Sequence, residues 1–285
     1  MSALTPFGAR LADAVADRGP LCVGIDPHPA LLRAWGLTED VAGLERFAMT
    51  AVTALAGEVA VLKPQSAFFE AYGSRGVAVL ERVIAEARQA GALVLLDVKR
   101  GDIGSTMAAY AAAYLVEGSP LAGDAVTVSP YLGFGSLEPA LLAARANGRG
   151  VFVLAMTSNP EGGAVQRAVD TGGRSVAQAV VDAAAERNAE DLEEVGGTLG
   201  SVGVVVGATI DPAAGLDLSR LAGPILAPGL GAQGATVADL HRVFGPALPR
   251  VLPTTSRDVL RHGPEVPALR DAVRRVRDSI AEITG

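Results

Sequence analysis

Eight short apolar, β-branched runs recur along the chain, and their lack of polar alternation constrains the fold more than any other feature. They are 21–26 (LCVGID), 59–64 (VAVLKP), 93–99 (LVLLDVK), 125–129 (AVTVS), 151–157 (VFVLAMT), 202–209 (VGVVVGAT), 224–228 (PILAP) and 250–255 (RVLPTT). A strand with one wet face alternates polar and apolar residues. A strand covered on both faces does not, and such strands belong to parallel sheets flanked by helices. Helical patterns separate the runs at 39–56, 75–89, 104–117, 135–147, 173–189, 212–220, 236–244 and 267–282. Several carry start signals: Thr38 ahead of two acids, Ser105 before an Ala-rich stretch, and Asp211-Pro212 before the short sixth helix. Eight such units predict an α/β protein with a (β/α)8 TIM barrel fold, one catalytic domain spanning 1–285. An open doubly wound sheet fits the same alternation, and the count of eight, which includes the short run 224–228, favours the barrel. The acidic, Gly-tailed stretch 185–200 reads as an extension of the fifth helix and its loop, not as a linker.

Charge narrows the partners. The net charge is −7 and no more than two basic residues are adjacent, which argues against nucleic acid or an anionic membrane as the main partner. A small molecule fits better. No apolar run approaches the roughly 18 residues of a membrane span. The single cysteine, Cys22, has no internal partner, and the opening MSALTPFGARLADAV lacks a basic segment followed by an apolar one, so the expected location is the cytoplasm. His28, His241 and His262 are isolated, with His28 read as a solvated loop residue, and no Walker or dinucleotide glycine motif is present. No metal and no organic cofactor are expected.

Of 24 basic residues, 22 are Arg and two are Lys, Lys63 and Lys99. An ammonium is a compact point charge that can give up a proton, whereas a guanidinium stays protonated and is wide. The position of the lysines therefore matters. Asp97 and Lys99 close the third run, and alternation along a strand puts both on one side, toward the barrel interior near its C-terminal mouth. Lys63 ends the second run before Pro64, which does not continue a central ladder, so it too belongs at the mouth. Asp26 ends the first run on the same rim. Asp102 follows a glycine that permits a sharp turn, and either returns toward Lys99 or reaches a neighbouring subunit. A second constellation follows strands seven and eight: the Gly-rich loop 227–236, with Pro228 and Gln233, and then Ser256-Arg257. Barrels recurrently bind phosphate there, with loop N–H groups and a bidentate guanidinium. Thr157-Ser158-Asn159-Pro160, after strand five, either binds a polar ligand or caps a turn. Phe68, Phe69 and Tyr72 read as packing for a helix against the barrel.

D-V-K-R-G-D-I-G-S-T (97–106), G-I-D-P (24–27), L-K-P-Q-S-A-F-F-E (62–70), P-G-L-G-A-Q-G (228–234) and S-R (256–257) together resemble the orotidine 5′-phosphate decarboxylases, more narrowly the bacterial type 2 form. The D-x-K-x-x-D element alone is shared with magnesium-dependent sugar-phosphate relatives, in which an acidic residue is expected where this chain has Lys63. The resemblance implies cofactor-free decarboxylation of orotidine 5′-monophosphate to UMP. It makes Lys99 the proton donor to C6, with Asp97 beside the departing carboxylate and Lys63 continuing the charge array. It also implies a homodimer in which Asp102, Ile103 and Thr106 enter the partner's site. Asp26 and Lys63 would meet the ribose hydroxyls. Arg257, Ser256, Gln233 and Pro228 would hold the phosphate end, and Thr157 or Ser158 the pyrimidine amide edge. A Schiff-base sugar-phosphate aldolase using Lys99 or Lys63, and a nucleotide-binding barrel without catalysis, are the rival readings.

Overall fold

The computed structural model describes residues 4–211, 215–231 and 234–284. All eight apolar runs are strands: β1 (Cys22–Ile25), β2 (Val61–Pro64), β3 (Leu93–Arg100), β4 (Ala125–Val128), β5 (Gly150–Met156), β6 (Val202–Val206), β7 (Ile225–Pro228) and β8 (Val251–Thr255). Each pairs in parallel with its neighbour in sequence, and β8 returns to β1, with Cys22 opposite Thr254. The ring is closed, which rules out the open sheet. Around it run α1 (Phe7–Arg18), α2 (Pro29–Ala34), α3 (Val41–Leu55), α4 (Ser66–Glu70), α5 (Gly73–Gln89), α6 (Gly104–Leu115), α7 (Glu138–Ala146), α8 (Gly163–Gln166), α9 (Val176–Val195), α10 (Val237–Phe244), α11 (Arg257–Leu260) and α12 (Val266–Thr284). None of the described helices is long and apolar enough to cross a membrane.

Two apolar layers explain why the runs do not alternate. Residues such as Val23, Leu62, Val94, Val126 and Val204 face the helices and join the larger core. Their neighbours Cys22, Val61, Leu95, Ala125, Phe152, Val205, Leu226 and Leu252, one from each strand, form a second cluster inside the ring. Both faces are dry, so both need apolar side chains. The inner layer is the floor of the mouth. Two residues further on from seven of these, on the same side by the pleat, stand Lys63, Asp97, Thr127, Leu154, Gly207, Pro228 and Thr254, while the position after Cys22 is Gly24.

The other end of the ring is closed by α1, a helix absent from the sequence-based pattern. Its apolar residues Phe7, Leu11 and Ala14 have helical spacing but are few. Phe7 is 1% exposed and meets Phe152 edge-on at 6.0 Å between ring centroids. Gly150 permits this approach, since a Cβ there would lie 2.3 Å from the Phe7 ring.

Two expectations need correction. Residues 212–214 lie outside the described residues, and 215–220 form no helix. Gly215 sits at φ +70°, and the Asp217 carboxylate accepts the Ser219 N–H in a local turn. Pro64 is inside β2, opposite Ile25, because the end of a strand tolerates a missing donor. The acidic stretch does extend the fifth predicted helix. There Arg145 on α7 pairs with Asp191 and Glu194 of α9, and Arg187 pairs with Glu138.

Candidate active site

The polar tier above the floor opens into a cleft of about 330 Å³. It is lined by Asp26, Lys63, Asp97, Lys99, Thr157, Ser158, Pro228, Ser256 and Arg257, which the sequence had singled out, and by His28, Gln65, Thr127 and Thr254 among others. At its centre is Asp97, a buried carboxylate with four donors. Lys63 Nζ at 2.9 Å and Gln65 Nε2 at 3.0 Å donate to Oδ2, while Lys99 Nζ at 2.5 Å and the Thr127 hydroxyl at 2.8 Å donate to Oδ1. Burial alone would raise the Asp97 pKa, yet the Lys63 and Lys99 ammoniums more than offset it and hold the carboxyl well below the usual range. Burial likewise works against the Lys63 charge, but Asp97 and then Asp26 outweigh it, and its proton is held above the ordinary lysine value. Below them, burial pushes the Cys22 thiol up to about 12, so the floor is neutral.

Lys99 reaches this carboxylate by a route that simple strand alternation does not describe. The register between β3 and β4 shifts between Leu96 and Arg100, and Lys99 sits at φ +46°. A left-handed non-glycine residue costs about 1–3 kcal/mol and persists only where its surroundings impose it. Here the Thr127 hydroxyl accepts the N–H groups of Val98 and Lys99, each at 3.0 Å. The Lys99 side chain is 44% exposed, while that of Lys63 is 7% exposed, so one ammonium stands open in the cleft and the other is largely buried in its wall.

Several polar atoms here have no protein partner. Asp26 Oδ1, Thr255 Oγ1 and Ser256 Oγ are buried and unbonded among the described residues. Gly24 lies between two of these residues, where a Cβ would stand 2.9 Å from Ser256 Cβ and 3.1 Å from Asp26 Oδ1. Orphaned buried oxygens are costly, and a ligand's hydroxyls would satisfy them. On the opposite rim, the Thr157 hydroxyl donates to Asn159 and accepts from Gln166, whereas the Ser158 hydroxyl has no hydrogen-bond partner among the described residues. Arg257 opens α11, is exposed, and forms no ion pair among the described residues. The Gly-rich loop packs against that helix: a Cβ on Gly231 would fall 1.5 Å from Asp258 Oδ2. Three of its amides, those of Gly231, Gly234 and Ala235, donate to carbonyls within the loop and are not free for an anion. Gln233 lies outside the described residues.

Three predicted residues stand apart. In the single chain Asp102, Ile103 and Thr106 do not line the cleft. The Asp102 carboxylate accepts its neighbour's Ile103 N–H at 2.8 Å and forms no ion pair among the described residues, so it does not return to Lys99. Ile103 is 62% exposed. His28 is not solvated as expected: it is half-buried, borders the cleft and packs its ring on Phe68 at 4.2 Å. Of the aromatic trio, Phe69 is buried in the core and Tyr72 packs against it. Gln65 and Thr127 were not anticipated. The one trace of Thr127 in the sequence is a lone hydroxyl inside the apolar run AVTV.

A closed (β/α)8 barrel with a lysine–aspartate–lysine array at its C-terminal mouth and an unpaired guanidinium on the rim defines a barrel enzyme for a small anionic substrate. The particular family follows from comparison. Residues 19–272 match the model of the orotidine 5′-phosphate decarboxylase / HUMPS family, and the chain belongs to that family. An orotidine 5′-phosphate decarboxylase of Salinispora arenicola is 65% identical over 280 residues, covering 98% of this chain and 99% of the relative. The Streptomyces coelicolor enzyme of the same name is 62% identical over 272 residues, covering 95% of this chain and 96% of that one. A crystal structure from Streptomyces avermitilis, described as an orotidine 5′-phosphate decarboxylase, superposes with a TM-score of 0.94 at 61% identity, covering 98% of this chain and 96% of that chain. The orotidine 5′-monophosphate decarboxylase of Leishmania donovani does so at 0.73 and 32% identity, over 98% of each chain.

Proposed function

We propose that this chain decarboxylates orotidine 5′-monophosphate to UMP and CO2, completing de novo pyrimidine synthesis, without a metal or organic cofactor. The Lys63–Asp97–Lys99 array carries the reading. Breaking the bond from C6 to the carboxylate leaves an electron pair on C6 with no adjacent sink, so fixed charge must stabilise it. The Lys99 ammonium faces that carbon, stabilises the developing charge and donates the proton that completes UMP; solvent then reprotonates the amine. Asp97, held ionised by its four donors, sets a like charge beside the substrate carboxylate that is relieved as CO2 departs. A divalent cation would find the Asp97 oxygens already taken and two ammoniums alongside. An aldolase needs a neutral lysine, which the raised Lys63 pKa opposes.

The remaining roles follow the open groups. The unbonded Asp26 oxygen and Lys63 take the ribose hydroxyls. Arg257, with Ser256, Pro228 and Gln233, takes the phosphate, whose binding energy is used remotely from C6. Ser158 meets the pyrimidine edge, because the Thr157 hydroxyl is engaged within its own loop. Asp102, Ile103 and Thr106 serve the site of a second copy, a homodimer supported by exposed Ile103, Tyr131 and Leu132 on the loops after β3 and β4. The whole chain acts as one catalytic domain in the cytoplasm, with neither nucleic acid nor membrane as partner. Absorbance turnover of orotidine 5′-monophosphate in EDTA tests this: activity is expected in the wild type and its loss in Lys99→Ala. An inactive wild type, a fully active mutant, or a borohydride-trapped adduct on Lys99 would overturn the reading.

A further inference from the structure

We infer that Thr127 is a positioning residue for decarboxylation, holding Lys99 in its left-handed backbone and aiming Asp97 through a single hydroxyl. The inference rests on the proposed role of Lys99. A hydroxyl has one donor and two acceptor positions, and here all three are in use. The O–H is given to Asp97 Oδ1 at 2.8 Å, and the lone pairs take the Val98 and Lys99 N–H groups at 3.0 Å. Thr127 is 1% exposed, so no solvent competes for these positions.

The need for this hydroxyl comes from the strand pairing. Between Leu96 and Arg100 the register of β3 on β4 slips, and the ladder does not supply partners to the intervening residues in the ordinary way. A bulge re-aims side chains at the cost of unpaired backbone groups. Thr127 supplies from its side chain what the β4 backbone no longer supplies. It thereby couples the backbone of Lys99 to the carboxylate that Lys99 faces. Beyond the bulge the strand is clamped again: Ser129 N–H donates to the Arg100 carbonyl at 2.8 Å, and Arg100 Nη2 donates to Glu70 Oε1 at 2.6 Å. The displacement of Lys99 is thus confined between two fixed points, and the hydroxyl lies inside it. The β-branched methyl limits the rotamers of Thr127, which serine would not do.

The test compares Thr127→Val, which keeps the shape and removes all three bonds, with Thr127→Ser, which keeps the hydroxyl. Misplacing a reacting group by about 1 Å can cost on the order of a hundredfold in rate. A kcat loss of that size is expected in T127V, with KM within about threefold. T127S should recover most of the rate. Full activity in T127V, a loss confined to KM, or a T127S as slow as T127V, would overturn the inference. Should T127V fail to fold, amide exchange in the wild type decides: Val98 and Lys99 amides as slow as those of the barrel core support the hydroxyl clamp, and rapid exchange overturns it. Wild type and Lys99→Ala are run in parallel. Failure of those two controls sinks the function itself, whereas a normal T127V beside a dead K99A sinks the Thr127 role alone.

Discussion

At the scale of single residues, the site is a balance between desolvation and pairing centred on Asp97. Removing one partner of a buried ion pair leaves the other charge uncompensated, at about 3–5 kcal/mol. Asp97→Asn, which strands the buried Lys63 ammonium, is therefore expected to lose about that much unfolding free energy in urea at pH 7. The pH dependence has a definite sign. The folded Asp97 pKa is depressed, so its contribution is complete above the unfolded value of about 3.9 and is lost as pH falls toward the folded value. The folded Lys63 pKa is raised, so its contribution is complete below about 10.5 and is lost only as pH rises beyond that. The stability difference between wild type and Asp97→Asn should stay constant from about pH 5 to 9 and narrow below about pH 4. A difference independent of pH down to acid unfolding would contradict the pairing. Lys63, Asp97 and Lys99 were legible because a chain that uses Arg elsewhere keeps lysine at two strand ends. Gln65 and Thr127 were not, since amides and hydroxyls are common and their meaning here depends on standing within 3.0 Å of one carboxylate.

At the scale of elements, several strands work as two-step ladders: an apolar residue in the floor, then a site residue one pleat higher. Leu95 and Asp97, Val61 and Lys63, and Ala125 and Thr127 are three such pairs. The floor needs a cover from below, and α1 provides it. Truncating a buried aromatic costs about 3–5 kcal/mol. Phe7→Ala is accordingly expected to lower the thermal midpoint substantially while turnover of the folded enzyme at 25 °C stays near wild type, because the whole inner layer separates Phe7 from Lys99. An unchanged midpoint would mean that α1 does not close the ring. The strands could be read from sequence since burial on both faces marks every residue in them. Helix α1 could not, because its few apolar residues acquire their importance from the open barrel end beneath them. The absent helix at 215–220 failed for a comparable reason: Gly215 at positive φ and the Asp217 turn override a composition that suits a helix.

For the whole molecule, the site in one chain is incomplete on the proposed reading. Asp102 lies outside the cleft of its own chain, with Ile103, Tyr131 and Leu132 exposed around the same rim. If a second copy contributes Asp102, a mixture of inactive Lys99→Ala and Asp102→Ala subunits should form hybrid dimers in which one site has both residues intact. Up to about a quarter of the wild-type activity is then expected from statistical pairing, with half of the dimers hybrid and one of their two sites intact. Activity that stays at background despite mass-spectrometric evidence of subunit exchange would refute a shared site.

Sequence alone determined the eight strand–helix units that favour a barrel, the strand ends that carry chemistry, and the charged residues placed there. These follow from periodicity and strand ends, which are local properties of a chain. Tertiary structure decided the rest: the bulge that turns Lys99 inward, the hydroxyl that holds it, the engagement of Thr157 that leaves Ser158 free, and the helix that seals the floor. Each depends on which group stands within hydrogen-bond or van der Waals reach of another. That distance is set by register and closure of the whole ring, and no stretch of sequence contains it.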